Sequence, residues 1–143
     1  MQDTDSQITA FLNEHHVLTL ATCVNGVPWC ASMFYVYLET ERMFVFTSDY
    51  QTHHIQDIKT NDRVAGTVVL ETRKIGLLRG VQFQGRISEP QGTLAEKAKR
   101  AYLVRYPYAL LKPAPLWVVE LHIIKYTDNR LGFGKKLLWQ KTS

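Results

Sequence analysis

Asn25-Gly26, set between two runs of β-forming residues, constrains this chain more than any other feature. Both residues accept positive φ, so the pair closes a two-residue hairpin. The flanking runs, "HVLTLATC" (16–23) and "VPWCASMFYVYL" (27–38), must then pair antiparallel. In that register Cys23 faces Pro28 and Cys30 faces Ala21. The two cysteines become diagonal neighbours with Cα atoms roughly 7–8 Å apart. That is at or beyond disulfide reach, so both are read as small hydrophobes rather than a redox pair.

Further elements follow from periodicity and punctuation. Residues 4–14 form a helix, with Thr4 and Gln7 as a capping box and Ile8, Phe11 and Leu12 on one apolar face. After a polar connection at 39–42, "MFVFTS" is a third strand. Thr52 caps a short helix ending at Thr60, whose inward stripe is Ile55 and Ile58. "VAGTVVL" (64–70) and "GVQFQGRIS" (80–88) are strands joined by the basic connection "ETRKIGLLRG", and Gly85 marks a bulge. Thr93 and Glu96 cap a third helix that Pro107 stops. "LWVVELHIIKYT" (116–127) is a long strand, and the tail "RLGFGKKLLWQ" carries two glycines and an apolar patch.

The order α-β-β-β-α-β-β-α-β does not alternate strand with helix, which argues against a parallel doubly wound sheet. The expected fold is mainly β with flanking helices (α+β), a six-stranded, mostly antiparallel split β-barrel. At 143 residues the chain reads as a single domain, 1–143, long enough to bury a core without disulfides. It has no apolar run of about 18 residues that would span a membrane and no secretion signal, so the expected location is cytoplasmic. The net charge of +4 is a mild excess, and no block of like charges marks a nucleic-acid tail.

Which chemistry do the residues carry? Adjacent helical residues lie about 100° apart, so His53 and His54 do not readily share one metal ion. His15-His16 on a strand would point to opposite faces, and no H-x-x-x-H or C-x-x-C spacing occurs. No nucleophile elbow, paired carboxylates or phosphate loop is present. The segment "TSDYQTHHIQ" (47–56) has more to offer. Thr52 opens a helix whose first turn exposes unpaired N–H groups to an anion. Thr47 and Ser48 add hydroxyls, and a histidine there donates a hydrogen bond in either charge state. Two readings stay open on these residues, an anion cradle and a capped surface helix with two exposed histidines.

The run "RMFVFTSDYQTHHIQDIKTNDRVAGTVV", with "GVQFQGRISEP" after it, resembles the cofactor segment of the pyridoxamine-phosphate-oxidase-like, FMN-binding split-barrel superfamily. "PWCASMFYVY", "VAGTVV", "LLRGVQFQG" and "KYTDNRLGFGKKLLW" are similar to its YhbP-like branch of uncharacterised bacterial proteins. The resemblance implies a homodimer with FMN at the subunit interface. It puts Ser32, Met33 and Phe34 along the flavin ring and Thr47 and Ser48 at the ring or ribityl chain. Thr52, His53 and His54 take the phosphate, and Gln82 borders the cofactor.

Better-known members carry Arg and Lys where this chain has His53 and His54, and an arginine near Ser32. Arg73, Lys74 and Arg79 are the cations available to compensate. The substrate-reading arginines of the vitamin-B6 oxidases have no match in "TDNRLGFGKK", so that activity is not carried over. The expectation is an FMN-binding, flavin-dependent oxidoreductase with a small-molecule ligand. The alternative is a non-enzymatic module for flavin, haem or another anionic ligand on the same barrel. Nucleic-acid binding through the basic helix 97–105 and loop 73–79 ranks last, because tyrosines at helical spacing are usually core.

Overall fold

The hairpin forms as expected. Val24 stands opposite Val27, and the turn between them has φ of 53° at Asn25 and 78° at Gly26. In the computed structural model, which describes residues 4–142, this hairpin starts an eight-stranded antiparallel sheet. Its strands are β1 (Val17–Val24), β2 (Val27–Phe34), β3 (Val36–Leu38), β4 (Met43–Thr47), β5 (Arg63–Val69), β6 (Arg79–Ser88), β7 (Leu116–Asp128) and β8 (Lys136–Gln140). They run in the order β2-β1-β5-β6-β7-β4-β3, with β8 added on β7. The sheet curls until β2 packs beside β4, giving the split barrel. Helices α1 (Thr4–Glu14), α2 (His53–Thr60) and α3 (Gly92–Arg105) flank it. None of them is long and apolar enough to cross a membrane.

Six expected strands become eight. The run 27–38 breaks at Tyr35, whose amide donates to His16 O at 2.9 Å and whose hydroxyl donates to Leu12 O at 2.7 Å. Beyond the break Val36, Tyr37 and Leu38 are all buried, because β3 is covered on both faces. Tyr37 joins the barrel core, while Val36 and Leu38 join a second cluster with Val45, Ala98, Tyr102, Tyr106 and Val118 beneath α3. The tail also pairs: Leu137 opposes Tyr126, and Trp139 opposes Ile124. β7, at 13 residues, is long enough to hold β4 with its first half and β8 with its second.

Helix ends differ from expectation as well. The helix α3 starts at Gly92 with Gln91 as N-cap and no side-chain cap bond, so Thr93 and Glu96 form no capping box. The side chain of Thr4, and with it the proposed Thr4–Gln7 box, lies outside the described residues. Gly85 does mark a bulge, where the β6–β7 register shifts after Gln84. A Cβ at Gly85 would lie 2.2 Å from Glu120 O, so the close approach of the two backbones requires glycine.

Ile8, Phe11, Leu12, Ile55 and Ile58 point from α1 and α2 into the barrel core with Leu18, Leu20, Phe44, Phe83 and Ile124. The opposite face of β1, β2, β5 and β6 is open. A polar row crosses it through Ser32, Thr19, Thr67, Gln82 and Lys125, each opposite the next in register. Around the row Val17, Phe34, Val69 and Leu138 are 46–62% exposed. Cys23 and Cys30 are free and lie on this open face, not packed inside as expected of small hydrophobes.

Candidate functional site

The end of β4 and the start of α2 hold a polar cluster. Ser48 is held by its backbone: its amide donates to Pro115 O at 3.1 Å, and its carbonyl accepts from the Trp117 indole at 3.0 Å. The following loop is tied down by Gln56, which donates to Tyr50 O at 2.6 Å, and by a Tyr50–Glu89 hydrogen bond. Tyr50 also meets Trp117 edge-on at 5.9 Å. α2 therefore begins at a fixed place.

Thr52 is the N-cap residue, but its side chain does not cap. Its hydroxyl donates to Asp49 O at 2.9 Å, closing the loop on itself. The first-turn amides of α2 are thus left without a side-chain acceptor from the cap. Three side chains converge beside them. His54 Nε2 lies 2.7 Å from Ser48 Oγ and 3.4 Å from Thr52 Oγ1. Thr47 Oγ1, one residue before Ser48, donates to the Tyr102 hydroxyl at 3.4 Å.

The two histidines part company. His54 falls on the buried stripe with Ile55 and Ile58 and is 8% exposed. His53 turns outward, stacks on Trp29 with ring centroids 4.0 Å apart and planes at 10°, and pairs with Asp57 Oδ1 at 3.4 Å. Asp57 is itself fixed by a 2.8 Å bond from the Thr22 hydroxyl. His53 flanks the cluster and does not converge with Ser48 and Thr52.

The other residues named from the sequence lie elsewhere. Ser32 and Gln82 share the polar row of the open face, with Ser32 Oγ 3.4 Å from Thr19 Oγ1. Phe34 is also on that face, tilted against Tyr106 at 5.4 Å and edge-on to Tyr108 at 6.4 Å. Met33 alternates inward and packs on the barrel core. Reading the sequence missed Trp29, Thr22 and Asp57 as supports of His53. The spacing of His53 and Asp57, four apart on a helix, was the available signal for one of them.

Burial pushes the His54 pKa below its ordinary value; His53 pushes it further down, and Asp57 partly opposes this. Burial also lowers His15, with Arg79 and His16 adding to the effect and Glu14 opposing it. Both imidazoles, His54 buried and His15 half-buried, are therefore harder to protonate than a free one. The unfolded chain takes up protons near pH 6.5 while these two folded sites do not. Stability contributed this way is intact above about pH 6.5 and is lost as pH falls toward the depressed folded values. Urea midpoints should stay level from pH 8 to 7 and decline between about 6.5 and 5, with a shallower decline in His54→Gln. A flat profile across that window, in wild type and variant alike, would contradict the burial argument.

A family model described as pyridoxamine 5'-phosphate oxidase matches residues 4–127. The UPF0306 protein YhbP of Salmonella arizonae is 40% identical over 141 residues, which cover 99% of this chain and 96% of that protein. Among solved structures, a heme binding protein from Mycobacterium smegmatis superposes with a TM-score of 0.81 at 18% identity, covering 98% of this chain and 59% of that one. A pyridoxamine 5'-phosphate oxidase-related, FMN binding protein from Nostoc punctiforme superposes with a TM-score of 0.68 at 12% identity, covering 99% and 93%. At these identities the structural likenesses speak for the fold.

Proposed function

The chain belongs to the pyridoxamine 5'-phosphate oxidase family, in its UPF0306 branch, and from that premise we propose that it binds FMN as a homodimer and acts as a flavin-dependent oxidoreductase. The observation that carries this reading is the Ser48–Thr52–His54 cluster at the start of α2. Hydroxyls, an imidazole and first-turn amides in one place are a donor set suited to a phosphate. If the His54 proton sits on Nε2 and is given to Ser48 Oγ, the Ser48 hydroxyl proton is free for a ligand oxygen. Thr52 offers its hydroxyl proton only after rotating away from Asp49 O.

The residues therefore fit the phosphate end of FMN. When bound, the flavin would supply the hydride or electron transfer, and this chain's own residues would hold and orient it. The open sheet face supports the dimer, because its exposed Val17, Phe34, Val69 and Leu138 form an apolar margin around a polar row. A second copy would take that margin out of water.

The test is a titration of the purified full chain with FMN, followed by flavin fluorescence and light scattering. The expected result is saturable binding, with two FMN per dimer, and reduction of the bound flavin by NADH or NADPH. A monomer that leaves FMN free at millimolar concentration would overturn the proposal. A Soret band in the purified protein without flavin binding would favour the haem-holding alternative.

A further inference from the structure

A second polar site lies on the open face, apart from the α2 cluster. A cavity of about 510 Å3 opens where β5, β6, β7 and β8 run side by side. Its polar wall is Thr67, Gln82, Lys125, Thr127 and Lys136, and Arg79 stands at the edge. No aspartate or glutamate is among its lining residues.

Register fixes how these side chains meet. Gln82 is directly opposite Lys125 on β7 and directly opposite Thr67 on β5. Lys136 on β8 is opposite Thr127, two residues along the same face from Lys125. Lys125 and Lys136 are thus diagonal neighbours, both aimed at one concavity, with an amide and a hydroxyl beside them. Arg79 is already engaged by Glu14 at 3.2 Å. Among the described residues the lysines that do form ion pairs are Lys97 and Lys141, not these two. Two like charges in one concavity with no carboxylate in the wall repel each other and concentrate a counter-ion. Val69 and Leu78 give the same cavity an apolar side.

We infer that this cavity binds the anionic end of a small molecule, with Lys125 and Lys136 neutralising a carboxylate or phosphate. Gln82 and Thr67 donate hydrogen bonds to it, and Val69 and Leu78 hold its uncharged body. That the molecule is the substrate rests on the flavin reading above; the anion site itself does not. The cavity lies apart from the α2 cluster proposed for the FMN phosphate, so the two anionic groups do not compete for one position.

The full chain is titrated with inorganic phosphate and, separately, with benzoate, without FMN and at saturating FMN. Lysine side-chain NMR follows the Cε–Hε signals. One or both anions should shift Lys125 and Lys136, and the larger response identifies the class. K125Q and K136Q should each weaken that binding roughly tenfold, the scale of one charge-assisted hydrogen bond, while K99Q on α3 leaves it unchanged. FMN affinity should stay within about twofold in all three. The inference is overturned if neither anion shifts these lysines, if K99Q weakens binding equally, or if FMN abolishes the response. An intact anion response in a chain that ignores FMN would sink the flavin reading alone. FMN binding with silent lysines would sink this site alone.

Discussion

Gly66→Ala is expected to lower the urea midpoint far more than Gly76→Ala or Gly80→Ala. Gly66 sits in β5 between Leu20 of β1 and Phe83 of β6, on the face that points into the barrel. A Cβ there would lie 2.1 Å from Thr19 O and 2.4 Å from Phe83 Cζ. The ring could swing, but it is packed among buried neighbours and is 3% exposed. The carbonyl cannot move without breaking the β1–β5 ladder. Overpacking of a well-filled core costs typically 1–3 kcal/mol, and a clash with backbone puts this change at about 3 kcal/mol or more. Two controls isolate the cause. Gly80→Ala would meet Val68 O at 3.3 Å, and Gly76→Ala would meet nothing within 4 Å. Both should stay within about 1 kcal/mol of wild type with an unchanged denaturant slope. A Gly66→Ala midpoint matching those controls would mean that the β1–β5 contact is looser than its geometry.

Much of this architecture is legible in the residues because local rules and tertiary demands agree. Asn25-Gly26 dictates a turn, the turn dictates a register, and the register holds to Phe34. Gly85 reads as a bulge because nothing larger fits beside Glu120 O. The separation of the two histidines is also in the sequence. His54 shares a stripe with Ile55 and Ile58, while His53 falls about 100° away. Where reading fails, a tertiary partner has outweighed the local preference. Nothing in "SMFYVYL" says that Tyr35 will turn its hydroxyl to Leu12 O and break the strand, because the acceptor is on α1. Thr52 reads as an N-cap, yet Asp49 O three residues back takes its proton first. "KKLLWQ" is too short to declare a strand alone, and it becomes one because β7 outruns β4 and leaves an edge to pair. The Trp29–His53 stack joins residues 24 positions apart on β2 and α2, beyond the reach of any spacing rule. The same holds for Lys125 and Lys136, brought to one concavity only by the β7–β8 register.

His54→Gln is expected to weaken FMN binding about tenfold or more while leaving riboflavin binding unchanged. A hydrogen bond to a charged group is worth about 1.5–3 kcal/mol, and His54 is the buried imidazole within hydrogen-bond reach of Ser48 and Thr52. Riboflavin lacks the phosphate, so it serves as the internal reference for ring and ribityl contacts. His53→Gln should cost less, since His53 is spoken for by Trp29 and Asp57. The pH dependence separates these roles further. In the free protein burial holds the His54 pKa below its ordinary value. A phosphate dianion beside the ring favours the imidazolium and raises that pKa, so binding takes up a proton. FMN affinity must then rise as pH falls from about 8 to 6, across the interval between the bound and free values. Below about pH 6 the phosphate accepts its own second proton, and the gain levels off. In His54→Gln the rise should disappear, and in His53→Gln it should persist. Equal slopes in wild type and His54→Gln would place the phosphate away from the Ser48–Thr52–His54 cluster.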